Sequence, residues 1–534
     1  MILLIIKNNK KFDKKYSKVF RYGIDYLTTG KALDIAKGKL QGFIDEDARK
    51  KIRDSYNEVL KIANSEKTVY GINTGFGPLC DTLISKDKTS DLQKRLLMSH
   101  SVGVGNPVSK QTSKLMLILK LHALAQGFSG ISEAILDRIL WHIENDVIPV
   151  VPEQGSVGAS GDLAPLAHLF LPLIGEGKVH YKEVIKDTPE VLKELNIDPA
   201  ELHPKAGLAL INGTQFIAAH AVQVVDTLYS CLSHADIIGA LMIEGMLGSR
   251  MPFHEALHKT RPFKGNIHVA ERVNHFLNDS DIVASHKHCS KVQDPYSLRC
   301  IPQVHGSSRN AWLHLKEAVE TELNAVTDNP VVFSDGFTIS GGNFHGQPLA
   351  MPLDYACLAA AELGNISDRR SYLSLEGKTE GTPKLLMKEI GLSSGFMIVQ
   401  YTSAALVSEN KSLCFPSSAD SIPTSLGQED HVSMGSISGR KALQVCENVI
   451  KILAVELICA AQAFDFRKPL KSSAVLEEIH QYIRTKITHA EVDRIFSKDI
   501  NMAIDIIRSR ELTEISKKND YTINATFKAL FEDY

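Results

Sequence analysis

The sequence predicts a mainly α-helical protein, with a long central helical bundle and a smaller N-terminal, mostly helical domain that carries a few short strands. Helical segments in the second half exceed the average length of about 12 residues, whereas strand-like runs are short and few. Because these segments mix Ala and Leu with scattered charges, they must bury faces against one another, as in a bundle. The long segments cover residues 216–247, 310–325, 353–375 and 441–463.

Shorter elements precede the long helices. Residues 114–125 (KLMLILKLHALA) are apolar almost all round, which indicates burial on most sides. Ser132 is a candidate N-cap for a helix over 133–144, where Ile135 and Ile139 belong to an apolar stripe. Strands are expected at 68–72, at 331–333 and at the extreme N-terminus.

The domain boundary is expected where a polar stretch ends and the long helices begin. The prediction is an N-terminal domain over 1–207, which carries the loop GSVGASGD at 155–162, and an elongated helical-bundle domain over 208–534. No internal repeat or low-complexity linker separates the two.

Composition limits the classes of partner. The 534 residues include 60 basic and 62 acidic side chains, a net charge of −2, which gives no electrostatic basis for binding nucleic acid or an anionic membrane. Charged residues interrupt 216–247, so it is predicted to be a buried helix and not a membrane span. The six apolar residues at the N-terminus lack the features of a signal peptide, and the eight cysteines show no disulfide framework. A cytoplasmic location is therefore expected.

Five polar or glycine-rich stretches fall outside the helical periodicity. Loops of this composition are where binding and catalytic sites are commonly built, although each stretch alone is compatible with a structural role. They are YGINTGFG at 70–77, MSHSVGVG at 98–105, GSVGASGD at 155–162, KVQDPYSLRCIPQVHG at 291–306 and SLGQEDHVSMG at 425–435.

A metal or phosphate site is not expected. His286, His288, Cys289 and Cys300 do not have a usual zinc-ligand spacing, and no second pair of ligands completes them. The segment GVGNP at 103–107 is not followed by the Lys-Ser or Lys-Thr of a phosphate-binding loop.

Six motifs taken together resemble the aromatic amino acid ammonia-lyases, a family of histidine, phenylalanine and tyrosine lyases and related aminomutases. The resemblance covers residues 70–467, and the combination is far more specific than Ala-Ser-Gly alone. In chain order the motifs are YGINTGFG, GSVGASGDLAPLAH, LALINGTQ, QDPYSLRCIPQVHG, GGNFHG and QEDHVSMG.

The resemblance implies that Ala159-Ser160-Gly161 forms an internal methylidene-imidazolone (MIO) group and that no external cofactor is needed. The Gly161 nitrogen attacks the Ala159 carbonyl, and two waters are lost. The flanking glycines permit the backbone compression that ring closure requires. Asp162 is a candidate N-cap of the next helix, with Pro165 in its first turn, and a helix N-terminus stabilises negative charge.

The resemblance also assigns roles to individual residues. Tyr70 matches the base that takes the β-proton, and Tyr296 matches a second catalytic tyrosine. Arg299 matches the residue whose planar guanidinium binds the substrate carboxylate. Further residues match positions that line the substrate pocket or contact the ring: Asn212, Gln293 and Phe344.

Two places in the sequence indicate the substrate. Ser99-His100 and Glu429 resemble the members that act on histidine, whereas members that act on phenylalanine or tyrosine carry Phe-Leu or His-Leu and Gln there. An imidazole has a polar nitrogen on each side, and burying it without partners costs a few kcal/mol. The resemblance thus implies deamination of L-histidine to trans-urocanate and ammonia, with Glu429 as a catalytic residue, in a homotetramer with shared active sites.

Two alternatives share parts of this pattern. A phenylalanine or tyrosine lyase, or an aminomutase, would use the same chemistry on another substrate. A binding protein on the same scaffold without turnover would lack at least one of four residues, all of which are present: Tyr70, Ser160, Tyr296 and Arg299.

Overall fold

The computed structural model describes residues 19–65, 69, 71–72, 74, 89–287, 292–519 and 524–532. It divides into two compact units, each built from several chain segments. The first unit holds the described residues up to Gln223, Lys316–Met351 and Pro416–Arg440. The second holds Val224–Leu315, Pro352–Phe415 and the described residues from Lys441 onward. The domain boundary after residue 207 stays a prediction.

The described residues are mainly helical, which confirms the predicted fold class. The helices before residue 224 are Thr29–Ala36, Glu46–Asn64, Thr89–His100, Lys110–Ala125, Glu133–Glu144, Leu163–Phe170, Thr188–Leu195, Ala206–Ile211 and the start of Gln215–Gly245. Those that follow are Glu255–Lys259, Lys264–Phe276, Asp281–Ser285, Tyr296–Arg299, Ile301–Leu323, Gln347–Leu375, Met397–Leu413, Gly435–Asp465, Ala474–Lys486, Phe496–Ser509, Glu511–Lys518 and Ala525–Phe531. Short 3₁₀ helices cover Leu171–Ile174, Met251–Phe253, Lys384–Leu386 and Ser425–Gly427.

The strands of the first unit are short and form small sheets. Val19–Arg21 pairs in parallel with Gln41–Phe43, with Val19 opposite Gln41. The remaining pairs are antiparallel: Val104–Pro107 with Pro152–Gln154, Ile148–Pro149 with Lys178–Tyr181, Lys178–Tyr181 with Val184–Asp187, and Val331–Val332 with Thr338–Ile339.

Local sequence accounts for the helices of the first unit. Asp45 accepts a hydrogen bond from the Ala48 N–H and so caps Glu46–Asn64. Ser109 caps Lys110–Ala125 in the same way, and every residue from Leu115 to Ala125 is buried, as the sequence predicted. Ser132 stands at the N-cap position of Glu133–Glu144, although its side chain makes no capping hydrogen bond.

The long helix Gln215–Gly245 has the length and hydropathy of a membrane span, yet 83% of its most apolar 18-residue window is buried within the protein. The prediction of a buried helix is therefore confirmed. Five cysteines stand among apolar residues in the sequence, which predicts reduced core cysteines; Cys80 lies outside the described residues, and the other four are buried and free: Cys231, Cys357, Cys446 and Cys459.

Two predictions of secondary structure were wrong. The described residues of the expected strand 68–72 lie in a turn, in which the Ile72 N–H donates to the Val69 oxygen at 3.2 Å. The polar stretches 98–105 and 291–306 were expected to lie outside helices, but Thr89–His100 extends into the first, and the second contains Tyr296–Arg299 and the start of Ile301–Leu323. Gly306 permits the start of Ile301–Leu323 because its lack of a side chain allows close packing against Asn266, whose backbone nitrogen lies 2.5 Å from where a Cβ would be.

The second unit contains a buried charge cluster around Asp236. Its carboxylate accepts hydrogen bonds from Arg272 Nε and His305 Nδ1, both at 2.9 Å, and from Arg309 Nη2 at 2.5 Å. Burial favours the neutral acid, but Arg309, His305 and Arg272 outweigh it and hold the pKa of Asp236 well below its usual range.

We expect Asp236→Ala to lower the free energy of unfolding by about 3–5 kcal/mol, because it removes the carboxylate that pairs with the buried Arg309 and one of the two carboxylates that pair with Arg272, the other being Glu532. Glu447→Ala is the matched control, since Glu447 pairs with Arg508 at the surface and such pairs contribute about 1 kcal/mol or less. Denaturant unfolding followed by circular dichroism measures both. Equal losses in the two variants would contradict the assignment of the cluster as a stabilising centre.

Candidate active site

The loop that holds Ala159-Ser160-Gly161 lies in the first unit, against a second loop that precedes Gln215–Gly245. Gly161 forms a parallel bridge with Gly213. The Asp162 N–H donates to the Gly213 oxygen at 2.8 Å, and the Gly213 N–H makes a longer bond of 3.5 Å to the Ser160 oxygen. A Cβ on Gly161 would lie 2.1 Å from the Gly213 oxygen, so only glycine fits here.

The opposite side of the loop contacts the start of helix Gly435–Asp465. The Met434 N–H donates to the Val157 oxygen at 2.9 Å, and Ser436 Oγ donates to the Ser156 oxygen at 2.6 Å. Gly158 has φ +69°, and a Cβ there would lie 2.3 Å from Ser433 Oγ. The loop is therefore fixed between two chain segments that each lead into a helix.

Glu429 is hydrogen-bonded to Ser160. Ser160 Oγ donates to Glu429 Oε1 at 2.8 Å, while Thr424 Oγ1 and Ser425 Oγ donate to Oε2 at 3.0 and 2.8 Å. Ser425 and Leu426 both have positive φ, 49° and 54°, a costly backbone conformation for residues with side chains. The strained turn places the two hydroxyls around the carboxylate.

Ser99 and His100 end the helix Thr89–His100. Ser99 Oγ donates to the Leu96 oxygen at 3.2 Å and lies 3.0 Å from His100 Nδ1. This network assigns the proton of His100 to Nδ1 and leaves Nε2 as an acceptor in the neutral ring. Burial lowers the pKa of His100, an effect that the Leu96 carbonyl and the Glu429 carboxylate oppose.

Asp162 occupies the N-cap position of Leu163–Phe170 as predicted, but its carboxylate does not cap that helix. It instead accepts from the Ile217 N–H at 2.9 Å, in the first turn of Gln215–Gly245, and from Ser156 Oγ at 3.1 Å. Burial raises the pKa of Asp162 to about 7 despite these hydrogen bonds, which lower it.

Asn212 is buried at the end of helix Ala206–Ile211. Its Nδ2 donates to the Asn329 oxygen at 2.8 Å, and its Oδ1 accepts no hydrogen bond from any residue that the structure describes. Phe344 is half-buried in a loop of the same unit. Tyr70 lies outside the described residues.

Three predicted site residues lie in the second unit. The Arg299 guanidinium stacks over the Tyr296 ring, 4.6 Å from its centroid, and Arg299 Nε has no hydrogen-bond partner among the described residues. Gln293 lines a cavity of about 1150 Å³ with Arg250 and His286. In the described part of the chain no three potential ligands meet to hold a metal ion, and His288 and Cys289 lie outside that part.

Sequence reasoning missed several polar groups around the loop. One is the hydrogen bond between Asp162 and Ile217, and another is the pair of hydrogen bonds from Thr424 and Ser425 to Glu429. These bonds depend on tertiary packing, which no local motif signals. Lys120 did have a sequence signal, because it is a lysine in the middle of the apolar run 114–125. It is buried, and its Nζ donates to the Asn212 oxygen.

Comparisons with known proteins agree with the fold. The family model of the aromatic amino acid lyases matches residues 27–485. A histidine ammonia-lyase of Idiomarina loihiensis is 44% identical over 476 residues, which is 89% of this chain and 93% of the relative. The crystal structure of histidine ammonia-lyase from Trypanosoma cruzi superposes with a TM-score of 0.88 at 38% identity, covering 96% of this chain and 97% of that one.

Tyrosine aminomutase from Streptomyces globisporus also has this fold, with a TM-score of 0.89 at 33% identity over 95% of this chain and 99% of its own. The chain therefore belongs to the aromatic amino acid lyase family, and it is a carbon–nitrogen lyase. Enzymes of this family in general use an internal MIO group.

The raised pKa of Asp162 predicts a pH-dependent stability that Asp162→Asn removes. The folded protein keeps the Asp162 proton up to about pH 7, whereas the unfolded chain releases it near the ordinary aspartate pKa of 3.8. Stability contributed by this group is therefore present at low pH and lost as pH rises through this window. We expect the unfolding free energy of wild type to fall relative to Asp162→Asn by about 2 kcal/mol between pH 5 and pH 7.

Urea unfolding of both proteins across that pH range measures the difference. Groups other than residue 162 titrate in both proteins, so they cancel in the comparison. Parallel stability profiles would show that Asp162 is ionised in the folded protein throughout.

Proposed function

We propose that the protein is a histidine ammonia-lyase, which converts L-histidine to trans-urocanate and ammonia without oxidation. The observation that carries the proposal is the 2.8 Å hydrogen bond from Ser160 Oγ to Glu429 Oε1. It joins the proposed ring-forming residue to the carboxylate that, with Ser99-His100, resembles histidine-specific members. Further support comes from the names of relatives at 43–44% identity over about 90% of the chain.

The geometry of the loop fits formation of the MIO group from Ala159-Ser160-Gly161. Gly161 has φ +75° and is held against Gly213 at a distance that no side chain would allow. Helices Leu163–Phe170, Gln215–Gly245 and Gly435–Asp465 all begin beside this loop, and their N-termini favour negative charge. Once formed, the MIO group supplies an electrophile that makes the amino group of the substrate easier to expel.

The surrounding side chains would hold an imidazole at two points. With a protonated ring, His100 Nε2 would accept from one ring N–H and the Glu429 carboxylate from the other; with a neutral ring, which has a single N–H, the carboxylate would bind the amino group instead. Asn212 Oδ1, which has no partner among the described residues, is a further acceptor for the substrate. A phenyl ring would leave these acceptors unsatisfied, so the pocket favours histidine over phenylalanine.

The remaining proposed roles follow the family resemblance. Arg299 would bind the substrate carboxylate through its planar guanidinium, and the Tyr296 ring beneath it would keep that plane in position. Tyr70 would take the β-proton as general base, Tyr296 would assist catalysis, and Gln293 and Phe344 would line the pocket.

We further propose a cytoplasmic homotetramer with shared active sites. On helix Gln347–Leu375, three large side chains on one face are each about half exposed: Tyr355, Leu358 and Tyr372. An exposed apolar face of this kind favours a contact between subunits.

The proposed function is tested by intact mass and by a substrate panel. MIO formation lowers the mass of the wild-type chain by two waters, about 36 Da below the value from its sequence, whereas Ser160→Ala should have its sequence mass. With wild type, we expect ultraviolet absorbance to grow with L-histidine and not with L-phenylalanine or L-tyrosine. An unmodified wild-type mass, or absorbance that grows only with L-phenylalanine, would refute the proposal.

Glu429→Gln should lower kcat/KM for L-histidine by about 10–100-fold, because a hydrogen bond to a charged group contributes about 1.5–3 kcal/mol. Asp430→Asn is the matched control, since Asp430 is exposed and adjacent, and it should stay within about twofold of wild type. The intact mass of Glu429→Gln separates an effect on turnover from an effect on ring formation. A wild-type kcat/KM in Glu429→Gln would exclude Glu429 from the site.

A further inference from the structure

Lys120 has a buried amine beside the candidate site, and the proposed function gives this residue no role. It lies on helix Lys110–Ala125 and is 1% exposed. Its Nζ donates to the backbone oxygen of Asn212, and in the described part of the chain it forms no ion pair of its own. The nearby carboxylate of Asp328 is instead held by Lys205 Nζ at 2.6 Å.

Such an environment makes the charge of Lys120 costly. Burial, aided by the charge of Lys205, lowers the pKa of Lys120 to about 7, although the carboxylates of Asp328 and Asp162 oppose the shift. A buried amine that serves only as a packing group would be replaced at less cost by Met or Leu. Any effect of the Lys120 charge therefore acts first on the carbonyl that receives its hydrogen bond.

That carbonyl belongs to the peptide unit between Asn212 and Gly213. The N–H of the same unit donates to the Ser160 oxygen at 3.5 Å. A cation bound at the oxygen of an amide withdraws electrons from its nitrogen, so the N–H becomes a stronger donor to the next carbonyl. The path thus runs from Lys120 Nζ through one peptide unit to the carbonyl of Ser160.

The peptide unit between Asn212 and Gly213 is held in place on both sides. The Asp162 N–H donates to the Gly213 oxygen at 2.8 Å, and Asn212 Nδ2 donates to the Asn329 oxygen at 2.8 Å. Asn329 is fixed in turn, because its N–H donates to Asp328 Oδ1 at 2.7 Å. The peptide unit consequently has little freedom to rotate away from either partner.

We propose that Lys120 is a positioning residue that polarises the Ser160 carbonyl through the Asn212–Gly213 peptide unit. The inference rests on the proposed function, because it concerns the residue from which the electrophile would form. Lys120 acts through the peptide and touches no reacting atom.

Polarisation of this carbonyl has two chemical consequences. It makes the α-proton of Ser160 more acidic, which favours the loss of that proton and the Ser160 hydroxyl together as one water. The electron pair of the Cα–H bond becomes the Cα–Cβ double bond, while the pair of the Cβ–O bond leaves with the oxygen, which takes up a proton to form water. The same carbonyl oxygen then receives electron density when a nucleophile adds at Cβ, and a polarised carbonyl accepts it more readily.

The test compares Lys120→Met and Lys120→Arg with wild type. Lys114→Met is the matched control, because Lys114 lies on the same helix but pairs with Asp146 at 2.8 Å and is partly exposed. Intact mass first reports the fraction of chains that have lost two waters. Cyanide, a small nucleophile, is then added without substrate, and the rate at which the mass gains one HCN reports electrophilicity independently of turnover.

We expect Lys120→Met either to lose less water or to add cyanide about tenfold more slowly than wild type. Lys120→Arg keeps the positive charge and should stay within about threefold of wild type, as should Lys114→Met. A folded Lys120→Met that forms the ring and adds cyanide at the wild-type rate would overturn the proposal.

A pH series of the cyanide-addition rate tests the proposal without Lys120→Met, in case that variant does not fold. Expressed per cyanide ion, the wild-type rate should fall several-fold between about pH 6 and pH 9, as Lys120 loses its charge, whereas Lys120→Arg should change little. Asp162, Asp328 and Lys205 face Lys120 in both proteins, so parallel profiles would overturn the proposal. A wild-type mass without the loss of two waters would contradict the proposed function itself and remove the basis of this inference.

Discussion

The close pairing of Gly161 with Gly213 is the contact on which the rest of the candidate site depends. With the Gly213 oxygen 2.1 Å from where a Cβ of Gly161 would be, the two backbones approach as closely as packing permits. This approach aligns the Ser160 carbonyl with the Gly213 N–H and the Asp162 N–H with the Gly213 carbonyl. A side chain at Gly161 would separate the loop from Lys120 and Asn212 together.

Buried polar groups surround this contact, and several of them form hydrogen bonds or ion pairs with specific partners. Asp162 bonds to the first turn of Gln215–Gly245, and Lys205 pairs with Asp328, which bonds to the N–H of Asn329. A network of buried polar groups destabilises the fold when some groups lack hydrogen-bond partners, and it makes the structure rigid when every group has one. The first unit therefore uses apolar helices for its stability and a small polar network to hold one loop in one conformation.

The sequence predicted the long helices well, because their apolar periodicity extends over many turns. Through the combination of motifs it also assigned Ser160, Glu429 and His100 to one site; the hydrogen bond between Ser160 and Glu429 is consistent with that prediction. It could not predict that Asp162 bonds to Ile217, or that Ser425 and Leu426 adopt left-handed backbone conformations, because these depend on distant segments. The helix from Ile301 was missed in part because Gly306 weakens the local helical signal while packing against Asn266 favours it.

The hydrogen bond between Ser160 and Glu429 has a consequence for the order of events in a newly folded chain. Glu429 Oε1 is occupied by the hydroxyl of Ser160, whereas Thr424 and Ser425 hold Oε2. The proposed dehydration of Ser160 expels that hydroxyl as water, so it would vacate Oε1 in the same step that creates the electrophilic Cα–Cβ double bond. In an immature chain, the hydroxyl of Ser160 would thus block Glu429 Oε1 as an acceptor for substrate. The site would become able to bind substrate at the same time as it becomes able to react with it.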